Sequence, residues 1–307
     1  MKTWLVTGGC GFIGSTLADE LVARGDRVRI LDDLSSGHAE NAPRAADLIV
    51  GSAADRDTVA RAMDGIDGVF HLAAQVSVPK CANDWLGSNT ANLVATIAVL
   101  EQARVRKTPV VYASSAAVYG DADEPPLDER SITRPQSPYG ADKLASELHA
   151  WVARATFGVP TLGLRFFNVY GPRQDGRSPY SGVVSAFRDC LAAGRPIRIF
   201  GDGRQTRDLV YVDDVVQALI AGMAALPGVP PVLNVCTGLA VSVETLARTM
   251  ARVMGREARI QWEPARIGDI RDSRGDPTAM RAALGLTQPT PLAAGLRATL
   301  SSQRLAA

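Results

Sequence analysis

The sequence predicts an α/β fold, a doubly wound parallel sheet joined to a smaller α/β lobe. Three observations predict it. Short β-branched runs alternate with Ala-rich stretches of helical spacing through about residue 165, which is the pattern of βαβ units. A glycine-rich turn joins the first run to the first helical stretch. Beyond Arg165 the alternation loosens into a Gly-, Pro- and Arg-rich stretch over 168–180, and Pro and Gly recur through the rest of the chain.

Taken in order, the strands are expected at 2–7, 27–32, 47–50, 68–71, 109–113 and 161–165. Between them, 12–24, 55–63, 89–104 and 138–156 repeat apolar residues at helical spacing, so each can cover one face of a sheet. A strand at 209–212 followed by a helix at 213–225 reads as a return to the first lobe. The lobes are therefore expected to be discontinuous: 1–168 plus about 209–238 for the larger, and about 169–208 plus 239–307 for the smaller.

With 307 residues, 46% of them hydrophobic, the chain can bury a large core. The formal charge is +1, with arginines scattered among nearly as many acids, so no field of one sign draws nucleic acid or a membrane surface. An anionic ligand would need local arginines. The apolar start ahead of Gly8 is too short for a signal-peptide core, and no apolar run approaches a membrane span, so a cytoplasmic protein is the expectation. Cys10, Cys81, Cys190 and Cys236 show no paired spacing, and His38, His71 and His149 form no ligand pairs with them, so neither disulfides nor a metal site is expected.

The turn Gly8-Gly9-Cys10-Gly11-Phe12-Ile13-Gly14 follows a strand and opens a helix. In that setting Gly8 and Gly11 let the backbone approach a pyrophosphate at the helix N-terminus, and Gly14 lets the helix pack on the strand. Asp32 closes the second strand at the distance of a ribose-binding acid. Its carboxylate would accept the adenosine ribose hydroxyls and repel a 2′-phosphate, which selects NAD over NADP. Asp33 reads as a solvated neighbour, and Ser35, Ser36 and Gly37 as a turn on the adenosine side.

Tyr139 and Lys143, four residues apart in a predicted helix, share one face. A tyrosine of ordinary pKa is a poor base near neutrality, but an ammonium beside it and a cationic nicotinamide would favour the phenolate. Lys143 can also hold the nicotinamide ribose. Lysine occurs only at Lys2, Lys80, Lys107 and Lys143, which makes its place here informative. The run 110–113 leads into Ser114 and Ser115 at the carboxyl end of a strand, the edge where open parallel sheets bind ligands. Ser114 reads as a residue capping the loop. Ser115 reads as a hydroxyl that meets the reacting oxygen and passes its proton to Tyr139.

The glycine turn, His71-Leu72-Ala73-Ala74, the segment Ser114-Ser115-Ala116-Ala117-Val118-Tyr119-Gly120, Tyr139 to Lys143 and Arg165-Phe166-Phe167-Asn168-Val169-Tyr170-Gly171-Pro172 resemble the extended short-chain dehydrogenase/reductase superfamily. They are most similar to its UDP-glucose and UDP-N-acetylglucosamine 4-epimerase group, in the expected order over nearly the whole chain. The resemblance implies a Rossmann-type sheet and NAD contacts from Phe12, Ile13, Asp32, Asp33, Leu34, Ser35, Ser36, Gly37, Leu72, Ala73, Ala74, Gln75, Asn92, Tyr139, Lys143 and Phe167. Ser52 and Ala53 stand at the adenine position, where the group usually has Asp followed by an aliphatic residue. On the sugar side the resemblance implies Ser115 and Tyr139 at the reacting carbon and Asn168 at the diphosphate. It places Arg207 and Arg266 as pyrophosphate-binding arginines, with Val183, Ile199, Phe200 and Asp269 completing the pocket. Arginine suits the diphosphate because its planar fork binds phosphate oxygens bidentately.

Related dehydratases carry an Asp-Glu pair where this chain reads Ala116-Ala117. Without that acid, reversible oxidation at one carbon remains, and the resemblance implies inversion at C4 of a UDP-hexose through a 4-keto sugar with NAD retained. Two rivals stand beside it: a 4-ketoreductase or dehydrogenase that exchanges its cofactor, and a silent NAD-binding scaffold, since fold alone does not fix function. Ser273 resembles the group's gate beside the C2 substituent, where a small residue leaves room for an N-acetyl group. Ser77 is a candidate sugar contact or an ordinary loop hydroxyl. The helices over 89–104 and 138–156 resemble those that pair across a two-fold axis, so a homodimer is the implied assembly.

Overall fold

In the computed structural model, which describes residues 1–121, 125–174, 183–265 and 271–301, the predicted alternation becomes a seven-stranded parallel sheet. Its first six strands are β1 (Thr3–Thr7), β2 (Arg27–Asp32), β3 (Asp47–Val50), β4 (Gly68–His71), β5 (Val110–Ser115) and β6 (Thr161–Phe166). Beyond them come β7 (Asn168–Tyr170), β8 (Ile197–Phe200), β9 (Thr206–Arg207), β10 (Leu209–Tyr211), β11 (Val232–Val235), β12 (Val241–Ser242) and β13 (Ile260–Glu263). The strand order is β11-β6-β5-β4-β1-β2-β3. It reverses direction between β1 and β4, and a crevice outside the carboxyl ends at such a point is where this architecture binds ligands.

Why the sheet is covered on both faces can be read residue by residue. Successive strand residues point to opposite faces, and Val6, Ile30, Phe70 and Val111 pack into one core with the helices Phe12–Ala23 and Val212–Ala225. Their neighbours Leu5, Leu31, Val69 and Val110 pack into the other with Arg56–Ala62, Ala95–Ala103 and Pro138–Phe157. Both faces being apolar, β4 and β6 are buried along their whole length, as expected of a parallel sheet between helices.

The expected helix over 89–104 starts earlier and is not uniform. Trp85–Asn89 runs into a π turn, Thr90–Val94, and continues as Ala95–Ala103. The region after Arg165 is built from shorter strands. The strand β10 pairs with β7 in a separate two-stranded sheet, and it is β11 that joins the main sheet beside β6. The return to the larger body is made by the helix Val212–Ala225, which packs along Phe12–Ala23. Two more small sheets, β8 with β13 and β9 with β12, surround a third core built on Phe187, Ile197, Leu246 and Met250. Among the described residues no helix is long and apolar enough to cross a membrane.

Candidate active site

A cavity of about 360 Å³ runs along the carboxyl ends of β1, β2, β4, β5 and β6. Its floor is the turn after β1. Gly8 adopts φ +70°, and a Cβ added at Gly14 would lie 2.1 Å from the Gly8 carbonyl oxygen. Only glycine permits this close crossing, which opens the N-terminus of the helix Phe12–Ala23 to the cavity, where backbone N–H groups favour anions. Asp32, 7% exposed, lies beside that turn. Its Oδ2 accepts from Cys10 N at 2.9 Å and its Oδ1 from Leu34 N at 2.9 Å. Those bonds fix the carboxylate and leave lone pairs for hydroxyl donors.

The opposite end is set by helix capping. Ser137 accepts from Gly140 N at 3.1 Å and Pro138 takes the first helical position, so the helix Pro138–Phe157 begins one residue before Tyr139. A Cβ at Gly140 would meet Ala117 O at 2.6 Å. The missing side chain lets the helix start press on the turn after β5, and this brings Tyr139 to Ser115. Ser115 Oγ accepts from Ala117 N at 3.1 Å, leaving its proton to donate. Lys143 Nζ donates to Ala113 O at 2.8 Å and lies 5.7 Å from the Tyr139 ring centroid. Burial pushes the Tyr139 phenol up to about 12, with a hydrogen bond from Ser115 opposing it. Burial also brings Lys143 down to about 8, with Asp142 opposing. The lysine therefore does not by itself produce the phenolate expected from the spacing.

Of the residues singled out for the cofactor, Gly8, Gly11, Phe12, Ile13, Gly14, Asp32, Asp33, Ser35, Ser36 and Gly37 line this cavity. So do Ser52, Ala53, Leu72, Ala73, Ala74, Gln75, Ser115, Tyr139, Lys143 and Phe167. Two stand behind the lining. Leu34 turns into the core at φ 58°. Asn92, 1% exposed, sits in the π turn and grips Gln75: its Oδ1 accepts from Gln75 N at 2.8 Å and its Nδ2 donates to Gln75 O at 3.3 Å.

The residues singled out for the sugar are placed differently. Ser77 caps the helix Val78–Asn83, accepting from Lys80 N at 3.3 Å. Ile199 is 1% exposed, within the third core. The Phe200 carbonyl accepts from Gln205 Nε2, Arg207 Nη1 donates to Thr206 O, and Ser273 O accepts from Asp208 N. Asn168 opens β7, and Val183 begins the helix Val183–Ala192. None of these seven is on the lining of the cofactor cavity. Arg266 and Asp269 lie outside the described residues.

Sequence reasoning missed a buried polar layer beneath the cavity. Thr7 Oγ1 accepts from the Leu72 and Ala73 amides, so its proton goes to His71 Nδ1 at 2.8 Å. The imidazole proton is thereby on Nε2, facing Thr96 Oγ1 at 3.1 Å. Glu147, one turn beyond Lys143, binds Arg165 bidentately and accepts from Ser114 Oγ. Asp142 accepts from Asn89 and Asn92. A sequence signal existed for one of these: Glu147 continues the Tyr139, Lys143 stripe at the same four-residue interval. Gln174, which also lines the cavity, carried none.

The model of the NAD dependent epimerase/dehydratase family matches residues 4–236. The chain belongs to this family. NAD is its cofactor, and the glycine cradle with the Asp32 carboxylate fits that dinucleotide. Within the family, the chain is 41% identical to the UDP-glucose 4-epimerase of Mycolicibacterium smegmatis, over 98% of this chain and 97% of that one. Its structure superposes at a TM-score of 0.94 on the UDP-glucose 4-epimerase from Thermotoga maritima with UDP-glucose, at 34% identity and 99% coverage of both chains. It superposes at 0.94 also on a UDP-N-acetylglucosamine 4-epimerase from Methanobrevibacter ruminantium in complex with UDP-N-acetylmuramic acid, at 32% identity, covering 100% of this chain and 99% of that one.

Proposed function

We propose that this chain is an isomerase, a UDP-hexose 4-epimerase that inverts C4 through a 4-keto sugar and takes N-acetylated as well as unsubstituted hexoses. The observation that carries the reading is the joining of Ser115, Tyr139 and Lys143 at one end of the dinucleotide cavity, with Ala116 and Ala117 in the next positions. The similarity to UDP-sugar 4-epimerases supports it.

The geometry around Ser115, Tyr139 and Lys143 supports the following roles. Ser115, whose oxygen is engaged by Ala117 N, donates toward Tyr139 and relays the proton of the sugar C4 hydroxyl. Tyr139 takes that proton and returns it when the other face of the keto sugar is presented. Lys143, anchored on Ala113 O, keeps two N–H donors for ribose hydroxyls. Bound NAD supplies the hydride acceptor and donor, and with its positive charge the help that Tyr139 needs toward phenolate. Asp32 holds the adenosine ribose, and Arg207 and Arg266 the diphosphate. Ala117 offers no acid for eliminating water, so the keto sugar is reduced again.

In this proposal the cofactor lobe is 1–168 plus about 209–238, and the sugar lobe is about 169–208 plus 239–307. The working form is a homodimer. Leu148 and Trp151, 63% and 55% exposed on the helix over 138–156, support it, as do Trp85 and Leu86, 65% and 80% exposed just ahead of 89–104. A solution mass of one chain would overturn the dimer.

The test of the function is incubation with UDP-glucose, UDP-galactose and their N-acetylated counterparts, with no NAD(H) added and the C4 epimers resolved. Interconversion with no net redox change is expected. Turnover only with added NAD(H) would give a dehydrogenase or reductase, and none under either condition would leave a scaffold.

A further inference from the structure

Asp208 is 0% exposed, and six bonds with five residues of distant segments converge on it. Its Oδ1 accepts from Thr237 N at 2.8 Å and from Thr237 Oγ1 at 2.7 Å. Its Oδ2 accepts from Gly238 N at 2.9 Å and Gly275 N at 3.3 Å. Through its own backbone N–H it donates to Ser273 O at 2.7 Å, and its carbonyl accepts from Asn168 N at 3.0 Å. One side chain and its peptide groups therefore join the start of β7, the β9–β10 junction, the loop after β11 and the segment 273–275.

These segments carry Asn168, Arg207 and Ser273, the residues assigned to the diphosphate and to the C2 substituent. The clamp also reaches the cofactor cavity. Gly275 lies so close to Phe167 that a Cβ there would meet the ring at 2.7 Å, and Phe167 lines the cavity. The segment is fixed on its other side by Leu127, whose N donates to Arg274 O and whose O accepts from Asp276 N. A carboxylate offers two oxygens with lone pairs for all four donors, whereas an amide in its place would set an NH₂ against N–H groups. A buried carboxylate held by N–H and O–H donors stays ordered only while those donors stay in place.

From this convergence we infer that Asp208 is a positioning residue for the UDP-sugar: it holds the diphosphate-side and C2-side segments in one arrangement without touching the substrate. The inference rests on the epimerase reading above.

The test is Asp208→Asn in the full-length protein, with bound NAD counted, steady-state kinetics on UDP-galactose and UDP-N-acetylgalactosamine, and titration with UDP. The expected result is a rise of about tenfold in KM and in the Kd for UDP, and a changed preference between the two sugars, with kcat nearly kept and NAD retained. A role in stability alone would lower Tm but leave KM and the sugar preference where they are. Thr237→Val, which removes one donor, should give a smaller rise in KM, and Thr237→Ser, which keeps it, should restore native values. If Asp208→Asn does not fold, that pair decides, and equal KM in the Val and Ser variants overturns the inference. Native protein that turns over UDP-galactose beside a folded Asp208→Asn with unchanged KM overturns it alone. Native protein that converts no UDP-hexose removes both this inference and the function it rests on.

Discussion

Two regions of the molecule, the wall of the cavity along the main sheet and the wall made by the smaller sheets, are built on different principles. The wall formed by the main sheet is assembled from short-range devices: a glycine turn seven residues long, a carboxylate that binds amides of its own and the preceding turn, a capped helix start and a hydroxyl at a strand end. Apart from the bond between Asp32 and Cys10, 22 residues apart, each is specified within one βα unit, and the sheet then sets them side by side. The wall from the smaller sheets consists of two- to four-residue strands, and its parts are held by bonds such as those from Asp208 to residues 29, 30 and 67 positions away. The first wall supplies reacting groups on rigid elements. The second has a shape that depends on distant segments arriving together, and in the function proposed above it selects the ligand.

If that division is right, changes in the first wall should act on kcat and on the cofactor, and changes in the second on KM and sugar choice. The largest effect is expected for Tyr139→Phe, which keeps the ring and removes the proton acceptor: kcat should fall by about a hundredfold or more with NAD still bound. Near-native turnover would break the assignment, and a change confined to KM would break the comparison.

Gly14→Ala should come next. Its methyl would sit 2.1 Å from the Gly8 carbonyl oxygen, so the turn must open, with a loss of about 1–3 kcal/mol in stability and of most bound NAD. Absorbance of NAD released on denaturation checks the second part, and full occupancy would contradict it.

The sheet wall should also carry an acid sensitivity. Burial, and next the Lys143 charge, lower His71 from 6.5 to about 3. Between those values the unfolded chain binds a proton that the folded one excludes, so stability is intact above about pH 6.5 and falls as pH drops toward about 3. Denaturant midpoints measured from pH 7 to pH 4 should fall, and His71→Gln should remove about one proton from the slope. An unchanged slope in that variant would place the sensitivity elsewhere.

The smallest effect is expected on the second wall. Ser273→Tyr should lower kcat/KM for UDP-N-acetylgalactosamine by about tenfold relative to UDP-galactose. Full activity on the N-acetylated sugar would remove the gate while leaving the first wall's chemistry untouched.

The same contrast accounts for what could be read from the sequence. The expected strands at 27–32, 47–50 and 68–71 coincide with β2, β3 and β4, because each carries a short run rich in β-branched and other apolar residues, Ile30-Leu31, Leu48-Ile49-Val50 and Val69-Phe70, between polar or turn-forming neighbours. Most of the residues that line the cavity at the strand ends were singled out from the sequence because most of its devices are local, the bond between Asp32 and Cys10 apart. The pairing of β10 with β7 instead of with the main sheet was not, since three residues have no periodicity to read. Nor was Asp208, whose neighbours in sequence say nothing of Thr237, Gly238 and Gly275. Asn92 was expected to touch the cofactor; it stands behind the cavity lining, and its grip on Gln75 depends on the π turn, for which the sequence carries no mark.

That wide turn makes residue count a functional quantity. A π turn holds one more residue than an α-helix would between the same two ends. Deleting one residue within 90–94 would let the helix run unbroken from Trp85 to Ala103 with both flanks keeping their faces, and only the bulge itself would close. Asn92 would swing away from Gln75, while Trp85 and Leu86 ahead of the turn would keep their direction. Substitutions on this segment can be absorbed one contact at a time, whereas the loss of a single residue would remove the support behind the cavity and leave the outer surface as it is.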